Sequence, residues 1–378
     1  MEQNKSNSIK WIVGVIVVIL VIVIGLSAFN KPKETGEIKV GVVASLTGVG
    51  AYFGEQFVSG LQMAVKEVND KGGVNGQTIK LIIEDSKTDN TTALTVAKKL
   101  IDVDGVKIIL GDSWNATTLT MVPYTNEKKV ILISPNASLD AFTKDDYVFR
   151  LISRTADLVK PLAKYVIDSG AKTVAIARVS SLFTDEHSVD FTKEFERLGG
   201  SVIADEQFTS PGSDVRSELT KIKAKNPDVI FDIHNSGPSI GLMISQANQI
   251  GLKTKWISSW AAENGALLKA YPKEIEGIIY PFMYDEADSV ASKTFADKVR
   301  AGGKDANFFV AAGYDILNVI AKVVEEVGSS NTDKLKKALT GIKDYDGVSG
   351  KFSFDQNGDV VRDIFIKTVK DGQFVRVN

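Results

Sequence analysis

The 378-residue chain contains no cysteine. That excludes disulfides, thiolate metal sites and cysteine nucleophiles together, and it leaves the redox compartment open. Histidine is nearly absent as well: His187 and His234 are the two imidazoles, which argues against a histidine metal site or a two-histidine mechanism. Neither sign of charge is in excess, with 45 Lys plus Arg against 47 Asp plus Glu, so there is no general electrostatic case for a nucleic-acid partner. No cofactor and no metal are expected. The length exceeds one typical hydrophobic core, and two lobes are the natural expectation.

One long apolar run stands out. Residues 11–28 carry no charge over eighteen positions, enough to span a bilayer as a helix, and Lys5 and Lys10 orient its N-terminus to the cytoplasm. Residues 1–10 are then a cytoplasmic n-region, 11–28 a transmembrane anchor or signal segment, and 29–37 a tether. Everything beyond is extracytoplasmic, in the periplasm or at the cell surface. Leu26-Ser27-Ala28 opens like a lipobox, but Phe29 stands where the lipid-bearing cysteine would be. A retained anchor is favoured over cleavage after Ala28, because the apolar run exceeds a usual signal core and Leu26 would sit three before the cut.

From residue 38 short β-branched runs alternate with helical patterns, the signature of parallel sheets built from βαβ units. Strands are predicted at 38–43, 79–84, 106–110 and 130–133, with helices at 53–71, 91–103 and 116–126. The pattern restarts after Arg150 with helices at 157–169, 188–198, 214–225 and 240–250 and strands at 173–177, 201–208, 229–233, 255–258 and 277–281. Helices at 289–301, 308–327 and 332–339 follow. Residues 350–354 and 363–370 alternate apolar and polar side chains about Asp355-Gln356-Asn357-Gly358, which reads as a hairpin. A calcium loop there would need a glutamate at its twelfth position, which is Ile366.

The stretch that organises the first lobe is Val106-Lys107-Ile108-Ile109-Leu110-Gly111-Asp112-Ser113-Trp114-Asn115. A β-branched run stops at a glycine and a polar cluster opens a helix. Helix starts carry unpaired N–H groups and the positive end of the macrodipole, and strand-to-helix turns of open α/β sheets collect ligands. The turn is read as one wall of a ligand site, with a well-capped structural helix as the plain alternative.

The order of elements and its local wording resemble the branched-chain amino-acid (leucine/isoleucine/valine) binding proteins of ABC transporters. The matching stretches include Ile38-Lys39-Val40-Gly41-Val42-Val43, Leu46-Thr47-Gly48, Gly54-Glu55-Gln56, Ser134-Pro135-Asn136-Ala137-Ser138, Gly251-Leu252-Lys253-Thr254 and, most specific, Asn69-Asp70-Lys71-Gly72-Gly73-Val74-Asn75-Gly76. The resemblance implies an α/β fold of two Rossmann-like lobes, periplasmic-binding-protein-like of type I, joined by a three-crossing hinge. Lobe 1 would be 38–153 plus 284–344 and lobe 2 154–283 plus 345–378, with crossings near 153–155, 281–284 and 343–347. It also implies partners: a small-molecule ligand in the inter-lobe cleft and ABC permease subunits, with the membrane reached through the N-terminal helix.

The resemblance also assigns site residues. Asn115 falls on the family's key serine, and Asn136 and Ser138 on positions whose carbonyl and hydroxyl touch the ligand. Capping and turn formation are their plain alternatives. The glutamate that receives a ligand ammonium falls on Trp260, with Glu263 three residues away as a substitute if the loop is shifted. Family tyrosines become Phe53, Phe183 and Ser236. Tyr52, Phe53, Trp114, Phe183 and Trp260 lie in predicted loops facing the cleft, where each ring can bury roughly 150–250 Å². Core packing is their alternative. The reading is a solute-binding protein whose ligand has an apolar or aromatic body, or is an amino-acid derivative, with one carboxylate or carbonyl end.

Two other functions are weighed against it. Gly111-Asp112-Ser113 matches the opening of GDS-type esterases, but no histidine follows His234 and Thr184 stands three before His187. A serine without a base is not an activated nucleophile, so the chain is read as a non-enzyme. A sensor ectodomain is the other alternative. With about ten residues ahead of the predicted membrane helix, it would need a separate output partner.

Overall fold

The computed structural model describes residues 36–144, 146–208, 212–234 and 237–377. The membrane segment expected at 11–28 lies outside them. Among the described residues no helix is long and apolar enough to cross a membrane.

The β-branched runs become two sheets. In the first, β1 (Glu37–Ala44), β2 (Thr78–Asp85), β3 (Ile108–Gly111), β4 (Ile131–Ser134) and β5 (Val148–Arg150) lie in the order β2-β1-β3-β4-β5, all parallel. Helices α1 (Ala51–Asp70), α2 (Asn90–Asp102) and α3 (Asn115–Glu127) connect the first four strands. Strands β3 and β4 are buried along their whole length, as strands covered on both faces must be.

Helix α4 (Thr155–Asp168) then leads into β6 (Thr173–Val179), α5 (Leu182–Arg197), β7 (Ser201–Phe208), α6 (Arg216–Lys225), β8 (Val229–Ile233), α7 (Gly237–Gln249), β9 (Lys255–Ser258), α8 (Gly265–Ala270) and β10 (Ile279–Phe282). After α9 (Val290–Ala301), α10 (Phe308–Val327) and α11 (Thr332–Thr340), a small sheet forms from β11 (Tyr345–Gly347), β12 (Gly350–Phe354) and β13 (Val360–Val361). Strands β14 (Phe365–Lys370) and β15 (Gln373–Arg376) complete the second large sheet, ordered β15-β14-β10-β9-β8-β6-β7. Its parallel part, β7-β6-β8-β9-β10, repeats the topology of the first sheet. Each lobe therefore has one point where the strand order reverses, between β1 and β3 and between β6 and β8, and ligands collect at such points.

The chain passes between the lobes after β5, after β10 and after β13. The last passage corrects the expectation of a crossing near 343–347 with everything from 345 onward in lobe 2. Residues 345–361 pack on the first lobe instead. The Arg150 amide donates to Gly358 O at 3.1 Å, Thr143 Oγ1 donates to Asp359 Oδ1 at 2.5 Å, and the Phe149 and Phe354 rings meet edge-on at 5.3 Å. Strand β12 pairs with the two-residue β13, too short to register as an apolar alternation, whereas β14 pairs with β10 and β15. The turn itself is where the sequence puts it: Asp355 Oδ1 accepts from the amides of Asn357 and Asp359.

Helices α9 to α11 return to the first lobe, and α10 lies tightly against α1. A Cβ on Gly60 would sit 2.0 Å from Val310 O, and one on Gly313 would sit 2.4 Å from Phe57 O. The two glycines are reciprocal, each admitting the other helix's backbone. Gly60→Ala should therefore destabilise the fold by about 2 kcal/mol or more, as overpacking between fixed backbones does. Urea unfolding measures it, and a loss below about 0.5 kcal/mol would mean that the helices can separate freely.

Candidate functional site

Gly111 ends β3 at φ +117°, and a Cβ there would lie 1.7 Å from Val43 O. Only glycine permits this approach of β3 to β1. The Gly111–Asp112 peptide is cis. The fully buried Asp112 then gathers the strand ends. Its carboxylate accepts from the Ser45 amide and hydroxyl, both at 3.0 Å, and from the Ser113 amide. Its carbonyl accepts from Ser134 Oγ at 2.8 Å and Thr118 Oγ1 at 3.0 Å. Burial raises the Asp112 pKa, opposed by the surrounding hydroxyl and amide donors.

Helix α3 starts beside this knot without a side-chain cap. Helices α2, α5, α8, α9, α10 and α11 are capped by Asp89, Ser181, Asn264, Ser289, Asn307 and Asn331. Asn115 is not the cap that the plain reading allowed. It is the first helical residue, and its Oδ1 accepts from the Ser138 amide at 3.0 Å, leaving its NH₂ end as the donor. The start of α3 thus keeps its positive dipole end for an incoming anion or carbonyl.

In front of it lies a cavity of about 80 Å³ between the lobes. Of the predicted residues, Phe53, Trp114, Asn115, Asn136, Phe183 and Trp260 come together in its wall. Phe53 is the hub, with ring centroids 6.5 Å from Trp114, 5.9 Å from Trp260 and 5.0 Å from Phe309. Phe183 meets Trp260 edge-on at 5.6 Å. Phe183 lies on the first turn of α5 rather than in a loop, because Ser181 and Thr184 form a capping box ahead of it. Tyr52 does not line the cavity. Its ring stands edge-on to Phe53, and burial with the charge of Asp305 pushes its phenol up to about 12. Ser138 does not line it either: its carbonyl accepts from the Thr155 amide at 3.1 Å and its hydroxyl meets Thr155 Oγ1 at 3.3 Å, at the lobe crossing. Ser236 lies outside the described residues. Sequence reasoning missed the lining residues Ala116, Ser181, Leu182 and Ala261, and Phe309, which packs against Phe53 and Trp260. Phe309 carried a usable signal, an aromatic pair directly after the capping Asn307.

Among the described residues no formally charged side chain lines the cavity. Glu263, the substitute considered for the missing glutamate, is spent within its own lobe. Lys367 Nζ donates to its Oε1 at 2.6 Å and Tyr280 Oη to its Oε2 at 2.5 Å. Lys367 is 3% exposed and also donates to Tyr284 O at 3.2 Å. A second acidic group bridges the lobes beside the cleft. The Asp140 amide donates to Glu186 Oε1 at 2.8 Å, and the carboxylates of Asp140, Glu186 and Asp190 lie within 4.8 Å of one another. Burial, with the neighbouring charges of Asp140 and Asp190, pushes Glu186 up to about 7.

Ser113 is fully buried with its hydroxyl 3.3 Å from Asp112 Oδ1. The imidazoles bond elsewhere, His187 Nδ1 to Phe183 O at 2.8 Å and His234 Nδ1 to the Asp232 carboxylate. Burial lowers His187 to about 4, so its ring is neutral.

A family model described as periplasmic binding protein matches residues 37–373. The chain is 25% identical over 342 residues to a leucine-, isoleucine-, valine-, threonine- and alanine-binding protein of Pseudomonas aeruginosa, covering 89% of this chain and 90% of that one. Its fold is similar to the leucine binding protein LivK of Thermotoga maritima, with TM-score 0.84, 25% identity and coverage of 90% and 98%. A solute binding protein of an ABC transporter from Rhodopseudomonas palustris BisB5, in complex with 3,4-dihydroxybenzoic acid, superposes with TM-score 0.82 at 23% identity, covering 90% of this chain and 96% of that one.

Two measurements probe the charges around the cleft. Glu263→Gln alone strands a buried ammonium and should cost about 3 kcal/mol. The double change Glu263→Gln with Lys367→Met should return most of that in urea unfolding, with ligand affinity unchanged. The Glu186 carboxyl is held above its ordinary 4.5, so its contribution to stability is complete below that pH and is lost as pH rises through about 7. Glu186→Gln should therefore raise the melting temperature at about pH 8 and leave it unchanged at about pH 4.5. An equal effect at both would remove the titration from the account.

Proposed function

The chain belongs to the periplasmic binding protein family, and within it we propose that this protein captures a small organic acid with an apolar or aromatic body between its lobes and delivers it to an ABC permease. The observation that carries the reading is the contrast across one cavity. Aromatic rings of Phe53, Trp114, Phe183 and Trp260 form its body, and an uncapped helix start closes one end. The nearby carboxylate of Glu263 is already paired with Lys367. A carboxylate or carbonyl gains N–H donors and a helix dipole at α3, worth on the order of 1.5–3 kcal/mol for a charged hydrogen bond. An α-ammonium would be buried without an anion, which is costly. The P. aeruginosa relative is named for amino acids and the R. palustris neighbour holds a dihydroxybenzoate. The cavity chemistry favours the second kind of ligand.

The lobes close by rotation about the three passages after β5, β10 and β13, with residues 11–28 anchoring the chain to the membrane and residues 29–37 tethering the lobes outside the cytoplasm. The catalytic alternative is disfavoured by the pairing of Ser113 with Asp112 and of both imidazoles with other groups.

Calorimetry on the full-length chain with aromatic and branched-chain carboxylic acids beside free leucine tests the ligand class. An acid should bind, and Trp260→Ala should weaken it by about 30-fold, on the order of 2 kcal/mol for a buried aromatic anchor. Tight binding of plain leucine that Trp260→Ala leaves unchanged would overturn the reading.

A further inference from the structure

Among the described residues, two side chains in the cavity wall each carry a buried polar atom without a partner. Asn136 is 3% exposed. Its Nδ2 donates to Ser113 O at 3.0 Å, which fixes the amide orientation and leaves Oδ1 as a bare acceptor. Trp260 is 4% exposed, and its Nε1–H is a bare donor. Buried polar groups are nearly always hydrogen-bonded, and each exception calls for an explanation. Here one is an acceptor from the first lobe and the other a donor from the second, and both residues line the same uncharged cavity.

The bare acceptor lies close to the start of α3. Asn136 is bonded to Ser113, and Asn115 is bonded to Ser138, so the turns after β3 and β4 are stitched together. A ligand whose carboxylate sits at α3 therefore presents its adjacent atoms to Asn136. Three substituents can stand there. An ammonium donates only: it serves Asn136 Oδ1, sets N–H against the N–H of Trp260, and finds Glu263 already taken by Lys367. A methylene serves neither atom. A hydroxyl donates with its proton and accepts with its lone pairs, so it serves both.

Resting on the carboxylate-end reading above, we infer that the ligand is a 2-hydroxy acid, or an acid with a hydroxyl equally close to its carboxylate, and that Asn136 Oδ1 and Trp260 Nε1 read this hydroxyl. The same pair discriminates against the corresponding α-amino acid. A site built to bond a hydroxyl rejects the analogue that lacks it, because its own groups are then left unpaired.

The test is titration calorimetry of the full-length chain against two matched trios: 2-hydroxy-4-methylpentanoate, 4-methylpentanoate and leucine; and phenyllactate, 3-phenylpropanoate and phenylalanine. In at least one trio the hydroxy acid should bind at least about tenfold tighter than both companions, as an unpaired buried polar group predicts. Asn136→Ala and Trp260→Phe should each bring the hydroxy-to-deoxy ratio toward one, with melting curves confirming the fold. Asn136→Asp supplies a carboxylate and should shift preference toward the amino acid. Equal affinity for hydroxy and deoxy acids would overturn the inference while leaving the organic-acid reading intact, whereas an amino acid binding as tightly as its hydroxy counterpart would count against both. No binding by any of the four acids would overturn both.

Discussion

Three strand ends meet at Asp112. Its carboxylate holds the chain leaving β1 through Ser45, and its carbonyl holds the chain leaving β4 through Ser134. Both contacts depend on Gly111, where any side chain would strike Val43 O. The approach of β3 to β1 is therefore set by a steric limit, and the buried carboxylate fills the space that limit creates. Without this knot the turns after β1, β3 and β4 would be independent loops. With it, Phe53, Trp114 and Asn136 share one wall, and the aromatic cluster inherits its geometry from a polar interaction beneath it. A fully satisfied buried network specifies one arrangement, which is what a binding wall needs.

Much of this was legible in the sequence where one physical signal dominated. The helix at 308–327 and the strands at 201–208, 229–233 and 255–258 have the bounds their patterns predict, because long apolar periodicities and β-branched runs leave little choice. Six of the nine predicted site residues meet in one cavity wall. What stayed hidden depended on contacts distant in sequence. Ser138 reads as a ligand hydroxyl until Thr155 is seen beside it. Glu263 reads as a free carboxylate until Lys367, 104 residues on, supplies its partner. The two-residue β13 has no period at all, and missing it moved the third crossing. Phe309 belongs to a long apolar helix buried on most of its faces, where no one ring stands out from the core.

The Glu263–Lys367–Tyr280 cluster closes a carboxylate off from the cavity within the second lobe. The carboxylate lies three residues from Trp260 in sequence, yet its two oxygens are occupied from β14 and β10. A pair buried this deeply does not exchange partners cheaply, since separating either ion from the other leaves a charge in a low-dielectric interior. The second lobe therefore presents to the cleft an indole and a phenyl ring, those of Trp260 and Phe183. Opposing rings from the two lobes meet there without charge repulsion.

The close passage of α1 against α10 has a consequence for how the protein is made. Tyr314 Oη donates to Glu67 at 2.8 Å across 247 residues, and the apolar face of α1 is covered by a helix that begins at Phe308. Residues 36–150 can form a sheet as they emerge, but Phe57 and Leu61 stay bare until nearly the whole chain is present. Contacts of such long sequence separation form late and slowly. The first lobe in sequence thus waits for residues 308–361, and its incomplete state exposes the same helix whose N-terminal turn carries Phe53. The ability to bind should appear only when the chain is almost entirely synthesised, however early its binding residues emerge.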